Sequence, residues 1–186
     1  NEKLLDMRIR DKIKKPQRPV VAYEILPPRE KDGTLNVYAE TISSLLSQTH
    51  IDAINIPEVH DEVGRGERPV ANQERGEPRK FGMLLQDIVG IEAIINRVVV
   101  HMPLKKQMEW IQETYSIYEI DNLIIVGGES SKQNYPGPTV NESLEKIAQN
   151  NRIRENNILC GGICIPSRKK ESKNLIRKSE CGAEFF

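Results

Sequence analysis

Apolar and polar residues fall in alternating blocks along this chain. The first apolar run is Val20-Val21-Ala22-Tyr23-Glu24-Ile25-Leu26, closed by Pro27-Pro28. A short continuous run of this kind predicts a strand buried on both faces. Thr34 is placed to cap a helix in which Leu35, Tyr38, Ile42, Leu45 and Leu46 recur at helical spacing. Ala53-Ile54-Asn55-Ile56 predicts a second strand, stopped by Pro57. Residues 59–79 are polar and rich in Gly, Pro, Arg and Glu, a loop whose length suggests function or mobility. Phe81, Leu84, Leu85 and Ile88 predict a second helix, and residues 97–102 a third strand ended by Pro103. Leu104, Met108, Ile111, Tyr115 and Tyr118 form a helical stripe. Leu123-Ile124-Ile125-Val126 predicts a fourth strand running into Gly127-Gly128-Glu129. Thr139 and Glu142 make a capping box for a helix carrying Val140, Leu144 and Ile147. Residues 158–165, with Gly161-Gly162, predict a fifth strand. Ser167 is placed to cap a basic helix ending at Cys181-Gly182, and Ala183-Glu184-Phe185-Phe186 begins a sixth strand.

Strands thus begin near residues 20, 53, 97, 123, 158 and 183, each separated by a helix. Repeated βαβ units mean a parallel sheet. An open doubly wound sheet and a (β/α)8 barrel both fit. A barrel typically takes ~250 residues, and the spacing here projects to about that length for eight units. The expectation is an α/β chain: the first five βα units of a (β/α)8 TIM barrel and the start of strand six. It would be one incomplete domain over 1–186, with a helical extension over 1–18.

Composition narrows the class. The 186 residues carry 27 basic and 27 acidic side chains, for zero formal net charge. A general nucleic-acid binder would show a basic excess. No apolar run approaches the ~18 residues of a membrane span, and the charged N-terminus has no secretory pattern. Three cysteines do not make a disulfide framework in a chain this long. The expectation is a cytoplasmic protein. Cys160 and Cys164, four apart on one predicted strand, would lie ~13 Å apart, too far for one metal or a disulfide. They read as core or barrel-lining residues.

In a barrel the active site is built from the loops after the strands. Those positions hold Glu24, Pro27, Pro28 and Arg29, then Pro57, Glu58 and His60, then His101, then Glu129, then Ser167 and Arg168. Glu24 stands inside an apolar run. A carboxylate there is costly unless it is paired, protonated or facing a cavity. Two readings stay open: a structural Glu paired with Arg29 or another cation, or an acid with a raised pKa that donates a proton. Gly127-Gly128 permits close backbone approach to a ligand, though it is also a plain turn. His101 reads equally as a ligand contact or a locally bonded residue. No dinucleotide GxGxxG or P-loop pattern is present. The basic helix with Arg168, Lys169, Lys170, Lys173, Arg177 and Lys178 reads as a solvated face or as an anion site, for instance for a dinucleotide pyrophosphate.

Tyr23-Glu24-Ile25-Leu26-Pro27-Pro28-Arg29 resembles the first-strand motif of the methylenetetrahydrofolate reductase family, an aromatic-Glu-x-x-Pro-Pro-Arg signature. His101 matches that family's histidine beside the flavin. Gly128-Glu129 falls where the family has Gly-Asp. Glu171, Asn174, Arg177 and Lys178 keep the spacing of its polar residues on helix five. The resemblance spans residues 20–186. It implies a (β/α)8 barrel that reduces 5,10-methylenetetrahydrofolate to 5-methyltetrahydrofolate in one-carbon metabolism, with NAD(P)H as reductant and FAD at the strand C-termini. By the same resemblance Glu24 is the general acid that helps open the imidazolidine ring, and binds substrate. Asn174, Arg177 and Lys178 hold the FAD ribityl and phosphate groups. Glu129 stands near the flavin pyrimidine edge and the folate pterin. The implied partners are a folate and a nicotinamide nucleotide, with no nucleic acid and no membrane, and a homo-oligomer is allowed. Pro57-Glu58 replaces a Thr-Tyr pair, Gly127 replaces an Arg, Glu129 is longer than the usual Asp, and Ile165-Pro166-Ser167-Arg168 replaces a Tyr-containing segment. These departures bear most on FAD. They leave a flavin-independent reductase, or a non-catalytic folate- or flavin-binding subunit, as alternatives.

Overall fold

The alternating apolar blocks become alternating strands and helices in a computed structural model, which describes residues 7–59, 74–128 and 133–186. In chain order the elements are α1 Ile9–Lys14, β1 Ala22–Glu24, α2 Leu35–Leu46, β2 Ala53–Pro57, α3 Pro78–Val89, β3 Ala93–Val98, α4 Leu104–Ser116, β4 Asn122–Val126, α5 Val140–Arg154, β5 Leu159–Gly162 and α6 Glu171–Glu180. Single 3-10 turns occupy Glu30–Asp32 and Val99–His101. The capping signals behave as their chemistry requires. The Thr34 hydroxyl accepts from the Val37 N–H, and Thr139 and Glu142 close a reciprocal box at the start of α5. Gly90, at φ 72°, supplies the left-handed residue that ends α3.

The five strands are parallel and lie in the order β1-β2-β3-β4-β5. A doubly wound sheet reverses its strand order at a switch point, and these five do not. Right-handed crossovers in an unreversed sheet put every connecting helix on one face. There Ile54, Ile56, Ile95, Leu123 and Ile125 of the strands pack with Phe81, Leu85, Trp110, Ile111, Leu144 and Ile147 of the helices. The fold class is α/β.

Along each strand the alternate residues face the other side. Ala53, Ile94 and Leu159 form a second cluster there with Ile9 of α1, which is 1% exposed. The N-terminal helix therefore covers the second face near the N-terminal ends of the strands. Polar contacts fasten it: Arg8 bridges Glu92 and Asp121, and the Ile9 N–H donates to Glu92. Asp52, ahead of β2, accepts from Arg18 and from the Val21 N–H and pairs with Lys12.

Several expectations need correction. β1 is not buried on both faces; all three of its residues are exposed. It is paired only with β2 among the described strands, so its apolar side chains lack the neighbours a central strand would have. The third strand begins at Ala93 rather than 97, and Val99-Val100 leave it for the 3-10 turn. The Gly137 N–H donates to the Val100 carbonyl, holding that turn against the chain ahead of α5. The loop after β2 ends earlier than expected, because Glu77 caps α3 and Pro78 opens it. Ser167 caps nothing: α6 starts at Glu171, and residues 166–170 form turns with Lys170 at φ 65°. β5 stops at Gly162, so Cys164 is in the following loop and exposed, while Cys160 is buried. The start of strand six is a single parallel bridge from Phe185 to Gly161.

Candidate functional site

The C-terminal ends of β1 and β2 set the first part of the site. Glu24 is the register partner of Asn55, and Asn55 Nδ2 donates to Glu24 Oε2 at 3.1 Å. Glu24 is exposed, so the reading of a carboxyl buried in an apolar strand is corrected. Among the described strands β1 has a neighbour only on its β2 side. Pairing with Arg29 is corrected too: the Arg29 guanidinium is held by Asp32.

At the end of β3 the helix-facing Arg97 is 2% exposed. It donates to Gln107 Oε1 at 2.9 Å and to Glu58 Oε1 at 2.5 Å, and its guanidinium lies 4.1 Å from the Trp110 ring centroid. Glu58 also accepts from the Val98 N–H. Arg79 covers Trp110 too, at 4.5 Å. Burial pulls the Arg97 pKa below its ordinary value, with the Glu58 charge acting against the shift. Glu58 is thus bound into this lattice.

His101 lies in the turn just after β3, its ring edge-on to Tyr135 at 5.8 Å between centroids. The Tyr135 ring also lies directly against Gly128, leaving no room there for a Cβ. Two predicted site residues, His101 and Gly128, are therefore joined through Tyr135, which the sequence reading missed. Glu129 and His60 lie outside the described residues.

At the end of β5 a third group forms around Glu171, which is 6% exposed. Asn174 Nδ2 and the Ile165 N–H donate to its two oxygens. These bonds hold the Glu171 carboxyl below the usual carboxylate range. Lys178 Nζ donates to the Ile163 carbonyl and lies 3.9 Å from Glu171. Arg177 is exposed on the same helix. Asn174 and Lys178 therefore both gather at Glu171, where they fold the loop 163–170 onto it. That buried carboxylate explains why α6 starts later than Ser167.

A separate open groove of about 630 Å³ lies at the opposite ends of the strands, bounded by Arg8, Glu92, Glu119 and Asp121. Arg8, Glu92 and Asp121 are engaged with one another there, which marks that end as structural. Among the described residues no group of three or more His, Cys, Asp or Glu side chains is placed to hold a metal. No helix among them is long and apolar enough to cross a membrane.

No protein-family model matches the chain, and no curated protein does. Among solved structures, an uncharacterized protein from Clostridium thermocellum, described as binding two copies of 5-methyl-5,6,7,8-tetrahydrofolic acid, superposes with a TM-score of 0.68 at 21% identity. The match covers 95% of this chain and 57% of that one. At that identity the likeness establishes the shared fold.

Proposed function

We propose that this chain is the folate-handling part of a (β/α)8 barrel that reduces 5,10-methylenetetrahydrofolate to 5-methyltetrahydrofolate with NAD(P)H. The observation that carries the reading is Glu24. It stands at the C-terminal end of the first strand, oriented by Asn55, in a fold shared with a protein described as binding the product of that reaction. The unreversed sheet with its helices on one face is the arrangement a barrel requires. In the reaction a hydride from NAD(P)H forms the new C–H bond at the methylene carbon. The bond from that carbon to N10 breaks, and N10 takes a proton. Glu24 is the proposed proton donor. Its position at the open end of the strands gives a bound substrate and water access to the same oxygen.

FAD would supply a hydride relay where it is bound. Asn174 and Lys178, which the family resemblance assigns to its ribityl and phosphate groups, are engaged by Glu171 and the Ile163 carbonyl, and Glu58 is engaged by Arg97. As arranged, Arg177 is left exposed for a flavin phosphate, while Asn174 and Lys178 are taken up within the protein. That observation supports the second reading, direct hydride transfer from the nicotinamide to the folate.

The visible absorption spectrum of the purified protein, before and after NADH, separates the two. Absence of a flavin band, with NADH oxidation on adding methylenetetrahydrofolate, is expected for direct transfer. A flavin band bleached by NADH and restored by the folate would establish the flavoprotein. With either, Glu24→Gln should abolish turnover and keep folate binding. Unchanged turnover would remove Glu24 from the chemistry.

A further inference from the structure

Among the described residues, two amide oxygens on the sheet's second face have no donor. Side chains alternate along parallel strands, so Asn55 and Asn96 share the face that carries Ala53 and Ile94. Glu24 is the register partner of Asn55, and Asn96 is the partner of Pro57, two residues beyond Asn55. Glu24 and Asn55 stand side by side, and Asn96 lies on the next strand two residues nearer the strand C-termini. Asn55 gives Nδ2 to Glu24, which fixes its amide orientation and leaves Oδ1 as the remaining acceptor. Asn55 Oδ1 and Asn96 Oδ1 are both buried, and neither has a hydrogen-bond partner among the described residues. Asn96 is 9% exposed. Asn122, on the same face one strand further, makes the contrast: its Nδ2 donates to the Ala93 carbonyl.

Buried carbonyls without donors are destabilising, and native structures keep few of them. Two on one face of neighbouring strands, one of them bonded to a carboxylate and both near the strand C-termini, imply a ligand that supplies N–H groups. The acceptors are neutral, which suits uncharged N–H donors. We infer that Asn55 and Asn96 are specificity-determining acceptors for the pterin ring of a folate, whose amino group and ring N–H groups present a donor edge. The inference rests on the folate reading above and adds the residues that recognise the ring. A site built to accept hydrogen bonds discriminates strongly against analogues that lack the donors, because its own buried atoms are then left unpaired.

The test is isothermal titration of 5-methyltetrahydrofolate into the wild-type protein, Asn96→Leu and Asn55→Leu, with thermal unfolding of each. Leu has the same branching and heavy-atom count as Asn and removes the orphan oxygen. Asn96→Leu should bind about tenfold more weakly or worse, as expected for one lost hydrogen bond in a buried site. Its Tm without ligand should rise. A side chain retained for packing would give the reverse pattern, a lower Tm with unchanged affinity. Asn55→Leu, at a less buried position, gives the same reading of affinity if Asn96→Leu does not fold. Wild-type binding with undiminished affinity in the folded variants overturns this inference alone. A wild-type protein that binds no folate overturns the folate reading, and this inference with it.

Discussion

Arg97 Nη1 meets Glu58 Oε1 at 2.5 Å, with side-chain exposures of 3% and 9%. The pair ties the residue that follows β2 to the last turn of β3, and the Val98 N–H adds a second bond to the same carboxylate. The ends of two adjacent strands are therefore locked in register just where the site residues Asn55 and His101 are presented.

Breaking this pair should be costly. Removing one partner of a buried ion pair strands the other charge, and the usual loss is about 3–5 kcal/mol. Arg97→Met should lower unfolding stability by about that amount in a urea titration. It should also change the emission of Trp110, the one tryptophan of the chain, because Arg97 lies on its ring. Stability and emission both unchanged would mean that the pair is not formed.

Acid should loosen the N-terminal helix through Asp52. Burial raises the pKa of that carboxyl, but the Val21 N–H, Arg18 and Lys12 outweigh it and hold the group below its ordinary value. A folded-state pKa below the unfolded one gives stability that is present above the ordinary carboxylate range and lost as pH falls through it. Asp52→Asn should cost about 2–3 kcal/mol at neutral pH and flatten the acid limb of a stability-versus-pH curve. Asp121 acts in the opposite sense: burial, against Arg8, raises its pKa, so its proton uptake favours the folded state as pH falls toward that raised value.

The three cysteines should separate by reactivity. Burial pushes the Cys160 thiol up to about 12. Burial, with the Glu145 carboxylate beside it, pushes Cys181 up to about 11. Cys164 is exposed. Thiolate is the reacting form, so a thiol reagent near pH 8 should modify one group fast in the native protein and three after denaturation. Fast loss of two or more native thiols would contradict the burial of Cys160 in β5 or of Cys181 at the end of α6.

Gly161 is pressed against Phe185, where an added Cβ would fall 2.5 Å from the ring. Gly161→Ala should displace the ring, break the bridge between these residues and cost about 1–3 kcal/mol. Thermal unfolding checks this, and an unchanged Tm would show that Phe185 does not dock there.

The legible parts of the fold were those governed by local chemistry. Thr139 and Glu142 are three residues apart, and their box forms without help from elsewhere. The stripe from Leu104 likewise needs only its own periodicity to form α4. Ser167 carried a similar signal and failed. Glu171 draws in the Ile165 N–H and Asn174, and a hydroxyl cap at 167 cannot compete with a buried carboxylate. Val99 and Val100 look like strand, yet the contact with Gly137 bends them out of it. The site was partly legible. Glu24 ends β1, and His101 lies in the turn just after β3, near where the periodicity put it. The Arg97–Glu58 pair joins residues 39 positions apart, which no local pattern reveals. Asn55 and Asn96 were visible as polar residues in or beside apolar strands, but their orphaned oxygens depend on register between strands.

The central claim is that the strand C-termini receive a folate. Isothermal titration of 5-methyltetrahydrofolate into the wild-type protein, repeated with Glu24→Gln, tests it most directly. The account predicts saturable binding to both proteins, with the variant blocked in turnover rather than in binding. Absence of binding heat for the wild-type protein up to millimolar folate would contradict it.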